Sequence, residues 1–198
     1  MQTEQLTTRQ HTPSAILEAQ ADEALARQAR SDPQAFAELY GRHMERVYRF
    51  LLIRTGSVPD AQDLTSQTFL AALESIDTYG NRGSFGGWLF GIARHKLADH
   101  YRRRRPEMSL DDVEWLHHPD PTPEEVAETR LQLTRVSTAL QSLDRWQAEA
   151  LALRLFGGLG AAEVGRVMGK SEAAVKMLVH RGLRKLQERL DYTLEVSL

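Results

Sequence analysis

The 198-residue sequence contains no cysteine, which removes disulfides, thiolate zinc sites and cysteine nucleophiles and fits a reducing compartment. It has no apolar run approaching the roughly 20 residues that a membrane-spanning helix needs. Its opening, MQTEQLTTRQ, carries neither the charged nor the hydrophobic region of a signal peptide. A cytoplasmic protein without membrane insertion is expected. No stretch sustains the alternation of apolar and polar residues that marks a half-buried strand, so β-structure is set aside. A large charge of one sign is missing too. The formal net charge is −2, which taken alone argues against a nucleic-acid binder.

What is present changes that reading. Hydrophobic residues make up 41% of the chain, ample for compact folding in one medium domain or two small ones. The charge is segregated. From Arg94 to Arg105 there are six Lys/Arg and one Asp, a local +5, and from Arg166 to Arg189 seven Lys/Arg and two Glu, again +5. Between them, Pro106 to Arg130 holds eight Asp/Glu and one Arg, a local −7. A polyanion responds to the field within a Debye length, roughly 8 to 10 Å at moderate salt, so two basic patches outweigh the near-neutral sum.

Glycine and proline punctuate segments of helical period, and the expected fold is all-α. A polar tail and short helix occupy residues 1–30, with the helix running from about Ser14 to Arg30. Asp32-Pro33 then offers an N-cap followed by proline in the first turn. The next helix is expected to bury Phe36, Leu39, Tyr40, Met44, Val47 and Leu51. After a break from Gly56 to Pro59, a third helix carries the stripe Leu64, Thr68, Phe69, Ala72, Leu73 and Ile76. The loop Thr78 to Ser84 follows. A fourth helix from Phe85 carries Trp88, Leu89, Ile92, Ala93, Leu97 and Tyr101. Residues 106–122 lack a clear period and read as an acidic flexible linker between two small helical domains, 31–105 and 123–198. Thr122 to Glu125 resembles a capping box. The second domain has expected helices at 123–141, 144–156, 161–168 and 172–190.

The stretch from Ala161 to Leu190 is the most telling. It reads as two helices joined by a tight turn at Gly169, with Ser171 as N-cap of the second. Val175, Leu178, Val179, Gly182, Leu186 and Leu190 share one face of that helix, and Lys176, Met177, His180, Arg181 and Arg184 the other. Val164 and Met168 of the first helix point inward, and Gly165 is small where the helices must approach. This is the layout of a helix-turn-helix. Lys170 stands where such motifs normally carry an apolar residue, and its stem can snorkel.

Three further motifs lie upstream: DAQDLTSQTFL from Asp60 to Leu70, FGGWLFGIAR from Phe85 to Arg94, and DHYRR from Asp99 to Arg103. In this order they resemble the first conserved domain of bacterial sigma factors, and the helix-turn-helix is similar to their second promoter-reading domain. With little between the two, the chain resembles the extracytoplasmic-function sigma factors over roughly residues 35–190. The resemblance implies a sigma-2-like bundle and a sigma-4-like helix-turn-helix domain. It also implies a non-catalytic, cofactor-free subunit that binds core RNA polymerase, reads the −10 and −35 elements of promoter DNA and helps open the duplex.

The resemblance further implies roles for single residues. Asp60, Asp63, Gln67 and Glu74, on the polar face of the third helix, would meet the clamp helices of the polymerase's largest subunit, and the second domain its flap. Asp63-Leu64-Thr65-Ser66-Gln67 departs from the family's usual Asp-Leu-x-Gln-Glu. Asn81, Arg82 and Ser84 lie in the loop that captures a −10 base, with Asn81 the preferred reader. Strand separation needs cations for the backbone and walls for unstacked bases. Arg94, Lys96, Arg102 and Arg103 offer the charge, while Trp88 reads as core. His95 replaces the family's usual asparagine. On the recognition helix Lys176 and Arg181 are the candidates for −35 bases, His180 and Arg184 for phosphates, with Ser171 and Met177 beside them. Arg154 and Lys185 would support the backbone contacts. An anti-sigma protein is a further partner that the resemblance brings in.

Two other readings compete. A helix-turn-helix regulator that is not an initiation subunit would bind duplex DNA tightly by itself. A metal-dependent enzyme would use His95, Asp99 and His100, the first two on one helical face, but such a site would also need a third or fourth ligand and a polar cleft.

Overall fold

A computed structural model describes residues 13–80, 83–103, 136–140 and 142–196, with side chains from 20 to 188. Every regular element among them is helical. The helices are α1 (Pro13–Gln28), α2 (Pro33–Thr55), α3 (Val58–Glu74), a 3-10 turn (Ile76–Thr78), α4 (Phe85–Arg103), helical residues 136–140, α5 (Arg145–Leu155), α6 (Ala161–Met168) and α7 (Glu172–Val196).

The helix starts follow local chemistry. Asp32 accepts from the Gln34 amide at 2.9 Å, with Pro33 in the first turn, so two otherwise unmade donors of α2 are dealt with at once. Ser57 caps α3 through the Asp60 amide at 3.4 Å, Asp144 caps α5 through the Trp146 amide at 2.9 Å, and Ser171 caps α7 through the Ala174 amide at 3.2 Å. Ser84 receives the Gly87 amide at 3.1 Å at the head of α4. The capping box read at Thr122 to Glu125, and most of the helix expected over 123–141, lie outside the described residues.

Helices α1 to α4 form one bundle around Leu39, Val47, Phe50, Leu51, Phe85, Leu89 and Phe90, all 0% exposed. Burying such side chains contributes about 1.5–3 kcal/mol each. Leu151, Leu153, Leu159, Val164 and Val175 do the same for the second unit. Three expected core positions differ. Tyr40, Leu73 and Tyr101 are 44%, 47% and 45% exposed. Tyr40 lies at the rim, one face on Phe69 with ring centroids 4.7 Å apart, and Tyr101 reaches out so that its hydroxyl donates to the Arg54 carbonyl. Helix α7 runs on to Val196 rather than ending at Leu190.

Candidate nucleic-acid interface

The turn between α6 and α7 is fixed by backbone geometry. Gly169 takes φ 65, a left-handed conformation that glycine adopts without steric cost, and the Lys170 amide returns to the Gly165 carbonyl at 2.8 Å. A Cβ on Gly165 would sit 2.6 Å from the Lys170 carbonyl oxygen, so this position must be small. Lys170 itself lies with Nζ 4.1 Å from the centroid of the Trp146 ring, which explains how a lysine occupies a normally apolar position. Val175 is fully buried, and Leu178, Val179 and Leu186 pack on the core. The outward face carries Lys176, Met177, His180, Arg181 and Arg184, all exposed. Lys176 pairs with Glu172 at 2.7 Å and Arg184 with Glu188 at 3.5 Å, both at the helix surface. Such exposed pairs stabilise by well under about 1 kcal/mol and yield readily to a phosphate or base. Arg154, expected near the DNA backbone, instead donates to the Leu159 carbonyl within its own unit.

The second basic face is on α4. Lys96 is half-buried, and Arg102 and Arg103 are exposed, Arg102 paired with Asp99. Arg94 is tied to Glu149 of α5, whose side chain is 8% exposed. Ser84 donates to Glu163 of α6, and Glu163 also accepts the Gly160 amide at 2.7 Å, a bond that caps α6. Asn81 and Arg82 lie outside the described residues. Glu149 and Glu163 were invisible to motif reading because each acts across the two units. Trp88, read as core, packs on Tyr79 and Phe85 with centroids 5.3 and 5.6 Å away.

On α3 the expected polar face needs one correction. Asp60 is turned inward, its side chain 16% exposed and 3.8 Å from His100 Nε2 of α4. Asp63 and Glu74 are exposed, and Gln67 donates to Asp63 at 2.6 Å. Leu70 and Leu73, 58% and 47% exposed, lie among them, so this face is mixed rather than polar. The exposure of Leu70 follows from the spacing, since Asp63, Gln67, Leu70 and Glu74 follow one another at steps of four, three and four; that of Leu73, on the apolar stripe, does not. The alternative ligand set is not assembled: Asp99 is engaged by Arg102 and His100 faces Asp60. Among the described residues no three His, Asp or Glu side chains are grouped to hold a metal ion, and no helix is long and apolar enough to cross a membrane.

Comparisons with known proteins agree with this geometry. Residues 39–107 match sigma-70 region 2 and residues 133–186 match sigma-70 region 4. The ECF RNA polymerase sigma factor BldN of Streptomyces coelicolor is 37% identical over 85% of this chain, which spans 65% of the length of BldN. SigE of Mycolicibacterium smegmatis is 31% identical, with 90% of this chain and 68% of SigE covered. The RNA polymerase sigma factor CnrH of Cupriavidus metallidurans is 33% identical, with 86% of this chain and 95% of CnrH covered. A structure of CnrH in complex with the cytosolic domain of CnrY superposes with a TM-score of 0.70 over 87% of this chain and 98% of that chain, at 29% identity. The chain belongs to the extracytoplasmic-function sigma factors, the RNA polymerase subunits that direct transcription initiation to promoters.

Proposed function

We propose that the two basic faces divide the promoter between them. The α7 face reads the −35 element, with Lys176 and Arg181 on bases and His180 and Arg184 on phosphates. The loop 79–84 and α4 take the −10 element, with Asn81, Arg82 and Ser84 at the captured base and Arg94, Lys96, Arg102 and Arg103 along the opened strand. A bidentate contact from Arg or Lys to guanine discriminates by about 1–3 kcal/mol, whereas phosphate contacts add affinity and salt dependence. The observation that carries the division is the presence of two separate cationic helix faces, an exposed one on a helix-turn-helix and a partly engaged one beside an aromatic-braced loop.

Docking on core polymerase is assigned to α3, where Asp63, Gln67 and Glu74 surround Leu70 and Leu73. Two exposed leucines within a polar rim suit a protein partner better than a purely solvated face does. Asp60 serves the contact with α4 instead. The working division of the chain remains 31–105, 106–122 and 123–198. The protein acts in the cytoplasm and has no catalytic step of its own. An anti-sigma protein is a third partner, a reading supported by the CnrH complex with CnrY.

Run-off transcription tests the proposal. Purified chain with core polymerase yields a promoter-specific transcript, while the chain alone binds duplex weakly. Tight duplex binding without polymerase, and no transcript from any promoter fragment, would favour the regulator reading.

A further inference from the structure

The outward face of α7 is not uniformly cationic. Met177 is 50% exposed, and among the described residues it is the one large apolar side chain of α7 that lies exposed. One turn before it stands Ala173 and one turn after it Arg181, with His180 alongside, all exposed. Lys176, its neighbour in the chain, reaches back one turn to Glu172, with Nζ 2.7 Å from Oε1. The opposite face of the helix is spent on packing. Val175 is fully buried, and a Cβ added to Gly182 would fall 2.7 Å from Leu151 Cδ1 of α5. Steps of two and five residues lead from Met177 to these closed positions, so at 3.6 residues per turn it stands across the helix from both and cannot turn inward to join the core.

Chemistry limits what a DNA groove can offer such a side chain. In the major groove every base pair presents donors and acceptors, and the apolar group on offer is the C5 methyl of thymine. Against any other edge a thioether chain displaces water from polar groups and gives them no partner, which is penalised. Against the methyl, apolar surface is buried on both sides. Methionine is unbranched and adaptable, so it can follow the methyl without a fixed rotamer. We propose that Met177 is a specificity-determining residue that reads the methyl group of one thymine in the −35 element, which rests on the reading of α7 as the helix that enters that element. Arg181 lies four residues further on, about 6 Å along the axis at about 1.5 Å per residue. With about 3.4 Å per base step, the thymine falls within about two base pairs of the base that Arg181 contacts. A hydrogen-bonded base and a neighbouring thymine, known by its methyl, are thus selected together.

Exchange of thymine for uracil tests this, because it removes the methyl and leaves every hydrogen-bonding group in place. Holoenzyme assembled from the full chain and core polymerase is titrated with a duplex bearing the −35 element of a promoter that it transcribes, each thymine on either strand being replaced in turn. One replacement weakens wild-type binding about fourfold, the size of one methyl removed from an apolar contact. Met177→Ala weakens binding to the thymine duplex and makes the affinity indifferent to that replacement. Met177→Leu, still apolar, keeps a preference for thymine. Core affinity and thermal midpoint stay at wild-type values in both variants, because the side chain is exposed. Wild-type binding indifferent to every uracil overturns the proposal, and so does an equal loss at the same position in Met177→Ala. Lys176→Ala with Arg181→Ala separates the two levels. If that pair leaves selection among −35 sequences intact, α7 is not the reader and the role of Met177 falls with it; if it abolishes selection while the uracil series is silent, the methyl contact alone falls.

Discussion

At the scale of single residues, what matters most is where a small or charged side chain has no substitute. Gly165 is the tightest such point in the helix-turn-helix, because any Cβ meets the Lys170 carbonyl oxygen, a backbone atom that cannot swing away. Gly165→Ala is expected to destabilise the second unit by about 1–3 kcal/mol, the usual cost of overpacking. Thermal unfolding read on that unit checks it, and an unchanged midpoint would mean that α6 and α7 separate at no cost. Asp22 is a different case. Burial pushes its carboxyl up, but the hydrogen bonds and charges of His43 and Arg42 outweigh this and hold it below the ordinary 3.8. A carboxylate with a depressed folded pKa contributes stability that is complete above the unfolded value and lost as pH falls through the folded one. The stability of the first unit should therefore fall as the pH drops below about 4, and Asp22→Asn should flatten that acid limb. Urea titrations between pH 3 and 6 distinguish the two chains.

Whole elements add what single contacts cannot. Ser171 holds α7 by its N-terminus while Lys176 and Arg181 act from the middle of the helix, so their removal should fail differently. Ser171→Ala is expected to cost about 1 kcal/mol of helix stability and little base selectivity. Lys176→Ala with Arg181→Ala should leave the fold and core binding intact and weaken −35 recognition about tenfold or more, since each base contact discriminates by about 1–3 kcal/mol. Duplex competition with altered −35 sequences reads the difference, and loss of core binding in the double variant would break the assignment of α7. Most helix starts, and the caps at Asp32 and Ser171, were legible because a 3.6-residue period and these two side chains are local signals. The helix-turn-helix was legible for the same reason, down to Gly165 and Gly169. Tyr40, Leu73 and Tyr101 were misplaced because a stripe of apolar positions gives a helix's inner face but not the width that neighbours cover. His43 carries no local signal, and only its tertiary partners, Asp22 from another helix and the Phe85 ring, account for its burial. Glu149 and Glu163 carry no motif at all, and their importance comes from which unit they touch.

The whole molecule brings its two units into contact through polar and apolar groups alike. Arg46 Nε donates to the Gly157 carbonyl at 3.0 Å, Ser137 Oγ to the Ile53 carbonyl at 3.3 Å, Arg94 pairs with Glu149, and Ser84 donates to Glu163. Apolar contacts join them as well: the Phe90 ring lies against Gly157 and Leu159 against Gly86, and the buried apolar residues of both units form one continuous cluster. Ser84 and Arg94, both assigned to the −10 strand, are thus occupied by the second unit, while Lys176 and Arg181 stay exposed. In this arrangement the proposed −35 residues are exposed while two of the proposed −10 residues are engaged by the second unit, so on that reading full strand capture requires Ser84 and Arg94 to leave these partners. Charge-assisted contacts weaken with salt and with loss of either partner, and a buried carboxylate left alone is costly. Glu149→Gln combined with Arg46→Ala should therefore shift the closed form toward the open one by about 1–3 kcal/mol. The absence of cysteine makes the measurement direct. Dyes on cysteines introduced at the exposed positions Leu70 and Leu155 should show lower energy transfer in the double variant than in the parent. Raising the ionic strength should lower transfer in the parent as well. The same variant should also bind a single-stranded −10 oligonucleotide more tightly in the absence of polymerase, because Arg94 is then released. Unchanged transfer with unchanged strand binding would show that the contact between the units does not compete with DNA.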